Sequence, residues 1–125
     1  MKFRLRKGLI WLSFELEYEG SRYTTHNCIL DTGSATTAID IDSVDFNFQK
    51  PAVITRLIGI GGGTQEVITQ KADKLIIGGH ELKCVEVEFG NLQANMGING
   101  FLGNDILSLF TITIDYSKQK IKFKI

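Results

Sequence analysis

Apolar residues recur at every second position along much of this chain. Ile10, Leu12, Phe14, Leu16 and Tyr18 alternate with Ser13, Glu15, Glu17 and Glu19, and Trp11 breaks the pattern. A period of two puts successive side chains on opposite faces of a strand, so the stretch predicts a half-buried β-strand. Residues 19–22 read as a turn and residues 23–30 as the returning strand. Phe110, Ile112, Ile114 and Tyr116 alternate with Thr111, Thr113 and Asp115, and after a turn at 117–119 Ile121, Phe123 and Ile125 alternate with Lys120, Lys122 and Lys124. Lysines on one strand face oppose edge-to-edge aggregation. Gly78-Gly79 separates residues 74–77 from 82–89 as a third hairpin. One stretch reads as helix: residues 104–109 follow Gly103 and offer Ile106, Leu107 and Leu109 for burial. With no βαβ alternation, low-complexity tract or long-period repeat, the expectation is an all-β fold in one domain, residues 1–125.

Composition narrows the function classes. The 125 residues are 43% apolar and 22% charged, the balance of a globular chain with room for one core. Fourteen basic and 14 acidic side chains cancel, so nucleic acid and anionic membrane are not expected as partners. Both ends are basic, and Asp40, Asp42 and Asp45 cluster; each cluster reads as a solvated face. The apolar run 9–12 follows a basic stretch, but Ser13 and three glutamates cut it too short for a signal or membrane segment. The chain therefore reads as cytoplasmic, with Cys28 and Cys84 as buried, reduced thiols.

Three segments carry chemistry. In Cys28-Ile29-Leu30-Asp31-Thr32-Gly33-Ser34-Ala35 an apolar strand runs into an Asp, two small hydroxyl residues and a Gly. Gly allows a sharp turn and the hydroxyls bond locally, which would hold the carboxylate at the mouth of a buried strand. The run Ile58-Gly59-Ile60-Gly61-Gly62-Gly63 lies between two strand-like stretches, 53–57 and 66–69. Finally Gly97-Ile98-Asn99-Gly100-Phe101-Leu102-Gly103-Asn104-Asp105-Ile106-Leu107 sets two bulky apolar residues before a Gly and a short helix.

In this order the segments resemble the retropepsin-like aspartic protease family, over about residues 9–125. Asp31-Thr32-Gly33-Ser34 is similar to its catalytic turn, Gly59-Ile60-Gly61-Gly62 to its glycine-rich flap, and residues 101–107 to its apolar-apolar-Gly-x-[DN]-x-L element. The resemblance implies a single-lobe acid-protease barrel of hairpins, with one short helix near 104–109. It also implies Asp31 as the catalytic carboxylate, supported by Thr32, Gly33 and Ser34, and a flap at Ile58, Gly59, Ile60, Gly61 and Gly62 that binds an extended peptide. Phe101, Leu102 and Gly103 would support the site structurally. Such chemistry takes two carboxylates sharing one proton, an ionised one as general base toward water and a protonated one polarising the scissile carbonyl. This chain carries one D-T-G, so a symmetric homodimer would supply the second copy of Asp31. The implied substrate is a peptide or unfolded protein; no cofactor or metal is implied.

One departure bears on the dimer. Retroviral members carry an Asp–Arg ion pair where this chain has Ala35 and Asn104, so both charges are missing together. Their interleaved termini would here crowd eight cationic side chains per chain, which predicts a dimer braced differently. Other constellations fail. Gly59-x-Gly61 lacks dinucleotide or P-loop spacing, and Asp40-x-Asp42-x-x-Asp45 lacks the Gly and Glu of a calcium loop. His26-x-Cys28 and His80-x3-Cys84 lack zinc-finger spacing, although strand geometry would place His26 and Cys28 on one face. The competing function is a non-proteolytic peptide-binding or dimerisation module on the same fold.

Overall fold

A computed structural model of the chain describes residues 1–58 and 64–125, the side chains of 56–65 apart. Ten strands and two short helices follow in order: β1 (Arg4–Arg6), β2 (Leu9–Tyr18), β3 (Ser21–Leu30), β4 (Ala38–Asp40), β5 (Val53–Ile58), β6 (Thr64–Ile77), β7 (His80–Gly90), α1 (Leu92–Met96), β8 (Gly100–Leu102), α2 (Asn104–Leu107), β9 (Thr111–Asp115) and β10 (Lys120–Lys124). A 3₁₀ turn at Ile41–Ser43 follows β4. The hairpins turn on Lys7-Gly8, Glu19-Gly20 and Gly78-Gly79, all at positive φ, which matches the right-handed twist of the flanking strands.

The pairings close a ring. β2 pairs with β3, β3 with β8, β8 with β4, β4 with β7, β7 with β6, and β6 returns to β2. Inside lies the main core, with Leu12, Phe14, Leu16, Tyr18, Leu75, Ile77, Phe89 and Leu102 buried. The alternation in β2 thus points its apolar face inward, as the period required. Trp11 leaves the pattern because it serves a second cluster outside the ring, with Ala38, Leu92, Ile98 and Phe101. β3, β8 and β4 are therefore covered on both faces, which is why 28–30 and 101–102 read as continuous apolar runs.

Several expectations change. The single helix near 104–109 is shorter, Asn104–Leu107, and a second helix, α1, was not foreseen. Residues 66–69 and 74–77 belong to one 14-residue strand, β6. A bulge in β3 sets His26 and Asn27 against Ser13, with Asn27 at φ 57°, so strand parity is lost there. Cys28 points into the core while His26 is exposed and meets the Ser13 hydroxyl at 2.9 Å; the two do not share a face. Cys84 is exposed rather than buried. Asp40 is buried rather than solvated, and its Oδ1 accepts the Gln93 N–H at the start of α1 (3.0 Å). Among the described residues no helix is long and apolar enough to cross a membrane.

Candidate active site

β3 and β8 run parallel, with Cys28, Ile29 and Leu30 beside Gly100, Phe101 and Leu102, so both strands end at the same level. Asp31 follows β3, and its N–H donates to the Leu102 carbonyl at 2.9 Å. Beyond it the chain folds back on itself: Gly33 N–H donates to Asp31 Oδ1 (3.0 Å) and Ser34 N–H to the Asp31 carbonyl (3.2 Å). This is an Asx-type turn, the local bond that an Asp followed by small residues favours. Asp31 is half-exposed, Thr32 and Gly33 are exposed, and Ser34 is half-buried with its hydroxyl on the Thr36 carbonyl at 2.8 Å. Phe101, Leu102 and Gly103 are buried beneath.

The turn is clamped from the side of α2. Asn104 N–H donates to Ser34 O (2.8 Å), Asp105 N–H to Ala35 O (3.2 Å), and the Asn104 side-chain amide to Thr32 O (2.7 Å). At the positions of the absent ion pair, neutral hydrogen bonds thus join turn to helix. Thr37 completes the clamp. Its hydroxyl donates to Asp105 Oδ1 at 2.7 Å and accepts the Gly103 N–H at 3.0 Å, while its own N–H donates to Asp105 Oδ2 at 3.1 Å. Gly103 sits so close to Thr36 that a methyl group there would overlap the Thr36 backbone.

A further carboxylate lies nearby. Glu88 is buried, accepts the Thr36 hydroxyl at 3.0 Å and donates its N–H to Thr37 O. Burial pushes its pKa above the ordinary 4.5, the Thr36 bond works against that, and the charge of Asp105 adds to it. Thr36, Thr37 and Glu88, and the bracing role of Asp105, were missed in the sequence. The one local signal was the Thr36-Thr37 pair directly after the D-T-G-S-A run.

Of the flap residues, Gly59, Ile60, Gly61 and Gly62 lie outside the described residues. Ile58 ends β5, where its backbone pairs with Thr64 of β6. A hollow of about 640 Å³ between the N-terminal residues and the β3 bulge is walled by Lys2, Arg4, Trp11, His26 and Asn27 among others; Asp31 is not part of it. Among the described residues, ion pairs gather on the β2–β3–β6 surface, as Arg22 with Glu15 and Glu17, and none involves Asp31, Glu88 or Asp105.

A closed ring of strands with an Asp-Thr-Gly turn clamped by a Gly-led helix defines the aspartic-protease lobe. The retroviral aspartyl protease family model matches residues 12–115, and the chain belongs to that family. The fold is similar to the crystal structure of a retropepsin-like aspartic protease from Rickettsia conorii, at 20% identity and a TM-score of 0.68, over 98% of this chain and 88% of that one. No curated protein matches the chain.

Proposed function

We propose that this chain is an aspartic endopeptidase whose site forms when two copies meet across a two-fold axis. Residues 1–125 would form one domain holding half the site. The observation that carries the reading is the Asp31 carboxylate: half-exposed at the end of a buried strand, in a turn that α2 and Thr37 hold from below. One Asp31 as carboxylate would activate water, and its protonated copy would polarise the scissile carbonyl and help protonate the leaving amine. Thr32 would brace the pair across the axis, and exposed Gly33 would let the substrate backbone approach. The flap expected at residues 58–62 would close over an extended peptide and pair with it as an added strand. Family membership and the fold support a hydrolase of this kind.

A peptide-library digest beside the Asp31→Asn variant tests the reading. The expected outcome is cleavage by the native chain and a loss of at least ~10²–10⁴-fold in the variant, with folding unchanged. Equal cleavage by both would remove Asp31 from the chemistry. Binding of peptides without cleavage by the native chain would favour the non-proteolytic module.

A further inference from the structure

We infer that this chain docks on anionic phospholipid membrane through a cationic face that its first and last segments build together. Docking is independent of the Asp31 chemistry and sets where the chain works.

The zero net charge is a sum over two unlike parts. Residues 1–14 and 106–125 hold eight of the 14 cationic side chains and one carboxylate side chain, Asp115, a net of +7. Residues 15–105 hold the other six cations against 13 carboxylates, a net of −7. The fold joins the two basic segments. Phe3 N–H donates to Gln119 O at 3.0 Å, Ile121 N–H donates to Met1 O at 2.9 Å, and Lys2 stands directly opposite Lys120.

Register fixes which way these cations face. Ile121 and Phe123 are buried, so Lys120, Lys122 and Lys124 line the outer face of β10, about 7 Å apart. Lys2 shares that face, because residues directly opposite in a sheet point the same way. Lys2 and Arg4 wall the hollow beside the β3 bulge, and no acidic side chain lines it. Arg6 lies over the Trp11 ring of the same hollow, its guanidinium 4.4 Å from the centroid.

All eight cations are exposed. Among the described residues the ion pairs use Arg22, Lys50 and Lys74, and none uses any of the eight. Asp115 is already engaged, accepting the Ser117 hydroxyl at 2.9 Å and the Lys118 N–H at 3.0 Å. Like charges directly opposite cost stability, and an anion laid across Lys2 and Lys120 relieves that cost. Guarding a strand edge accounts for a lysine or two, not for this whole face.

Apolar neighbours decide which polyanion fits. Among the described residues ten large apolar side chains are exposed, and six of them fall in the same two segments, Leu9 and Tyr116 included. Leu9 stands directly opposite Arg6. Cations interleaved with exposed apolar side chains suit the boundary between lipid headgroups and acyl chains, where both are satisfied at once. Nucleic acid would leave the leucines in water, and Phe3 and Trp11 are buried where its bases would need rings to stack on. Asp31 belongs neither to the hollow nor to the β9–β10 hairpin, so docking leaves its turn free.

Vesicle co-sedimentation of the full chain tests this. Mixed phosphatidylcholine–phosphatidylglycerol vesicles should bind it at about 0.1 M salt, where charges more than ~10 Å from the lipid are largely screened, and phosphatidylcholine vesicles alone should not. Lys122→Gln with Lys124→Gln removes two charges from the face and should lower partitioning roughly 25-fold, at about fivefold per cation near the surface. Lys71→Gln with Lys83→Gln removes two exposed charges elsewhere and should change it less than about twofold. Circular dichroism should be unchanged in both variants. Equal losses from the two lysine pairs would assign the binding to net charge and overturn the face. Equal binding to both kinds of vesicle, or binding to neither, overturns the membrane. So does tighter capture of a single-stranded oligonucleotide or of polyglutamate than of the anionic vesicles.

Discussion

The turn at Asp31 and the loop at residues 45–50 are both irregular backbone beside the same ring of strands, yet different forces hold them. The loop is held by bulk. Phe46 packs on Tyr18 and on Phe89, with ring centroids 6.2 and 5.1 Å apart, and Phe48 closes on Phe46 at 4.8 Å. A polar knot sits beside this aromatic cluster: Tyr18 Oη donates to Gln70 Oε1 and accepts the Asn47 N–H, the Gln70 amide bonds the Asn47 and Lys50 carbonyls, and at the loop's ends Asp45 N–H donates to Tyr23 Oη and Lys50 Nζ to the Lys71 carbonyl. The Asp31 turn has no comparable apolar anchor of its own. Backbone bonds, one Thr–Asp pair and a glycine with no room for a methyl group hold it. Burial is non-directional and fixes volume, whereas hydrogen bonds fix angle and distance. A carboxylate that, on the proposed mechanism, meets its copy at hydrogen-bond distance needs the second kind of support.

Gly103→Ala should break the contrast most severely. Its methyl group would collide with the Thr36 backbone, which cannot swing aside as a flexible side chain would. The expected cost is about 3 kcal/mol or more in denaturant unfolding, with proteolysis lost. A variant of native stability would show that the turn yields easily and is not clamped. Thr37→Val comes next. The shape is kept, but Asp105 Oδ1 loses a donor and the buried Gly103 N–H loses its acceptor. About 1–3 kcal/mol should be lost, and kcat should fall on the order of 10²-fold as the carboxylates of the proposed dyad shift apart.

How much of this could be read in the sequence depends on the reach of each interaction. The long ring strand β2 was legible because alternation is local, whereas the three-residue strands β4 and β8 are too short to alternate and were not read as strands; the Asp31 turn was legible too, since its key bond spans two residues, Gly33 to Asp31. The clamp was not: Thr37 meets Asp105 across 68 residues, and Thr36 meets Glu88 across 52. Nothing in either neighbourhood reveals such a partner. Helix α1 escaped because its five residues bury one side chain, Leu92, too few to show a helical period. The β3 bulge escaped because Asn27 takes a left-handed backbone conformation without being glycine. Asp40 read as surface because its partner, the Gln93 N–H, belongs to that unforeseen helix.

Tyr18→Phe sharpens the comparison from the other side. The ring stays, so the aromatic packing survives, but the Asn47 N–H and Gln70 Oε1 lose their shared hydroxyl in a buried setting. About 1–2 kcal/mol should be lost, with kcat per folded molecule close to native. A kcat loss as large as that of Thr37→Val would mean the two loops are coupled, and the division between bulk and bonds would fall.

The smallest effect belongs to Glu88, and only its pH dependence identifies it. Burial holds its pKa above the ordinary 4.5 in the folded chain, so folding favours its protonated form. The associated stability is complete below the unfolded value and is lost as pH rises through the folded one. Ionising Glu88 in the folded chain therefore sets a buried carboxylate near Asp105 at some cost, offset in part by the Thr36 hydroxyl. Glu88→Gln retains an oxygen for that hydroxyl and removes the titration. In denaturant unfolding the variant should gain on the native chain as pH is raised from about 4 toward 7. A difference constant across that window would mean Glu88 feels no net penalty for its charge. The turn side would then be braced as freely by ionised groups as by neutral ones, and geometry alone would separate it from the loop.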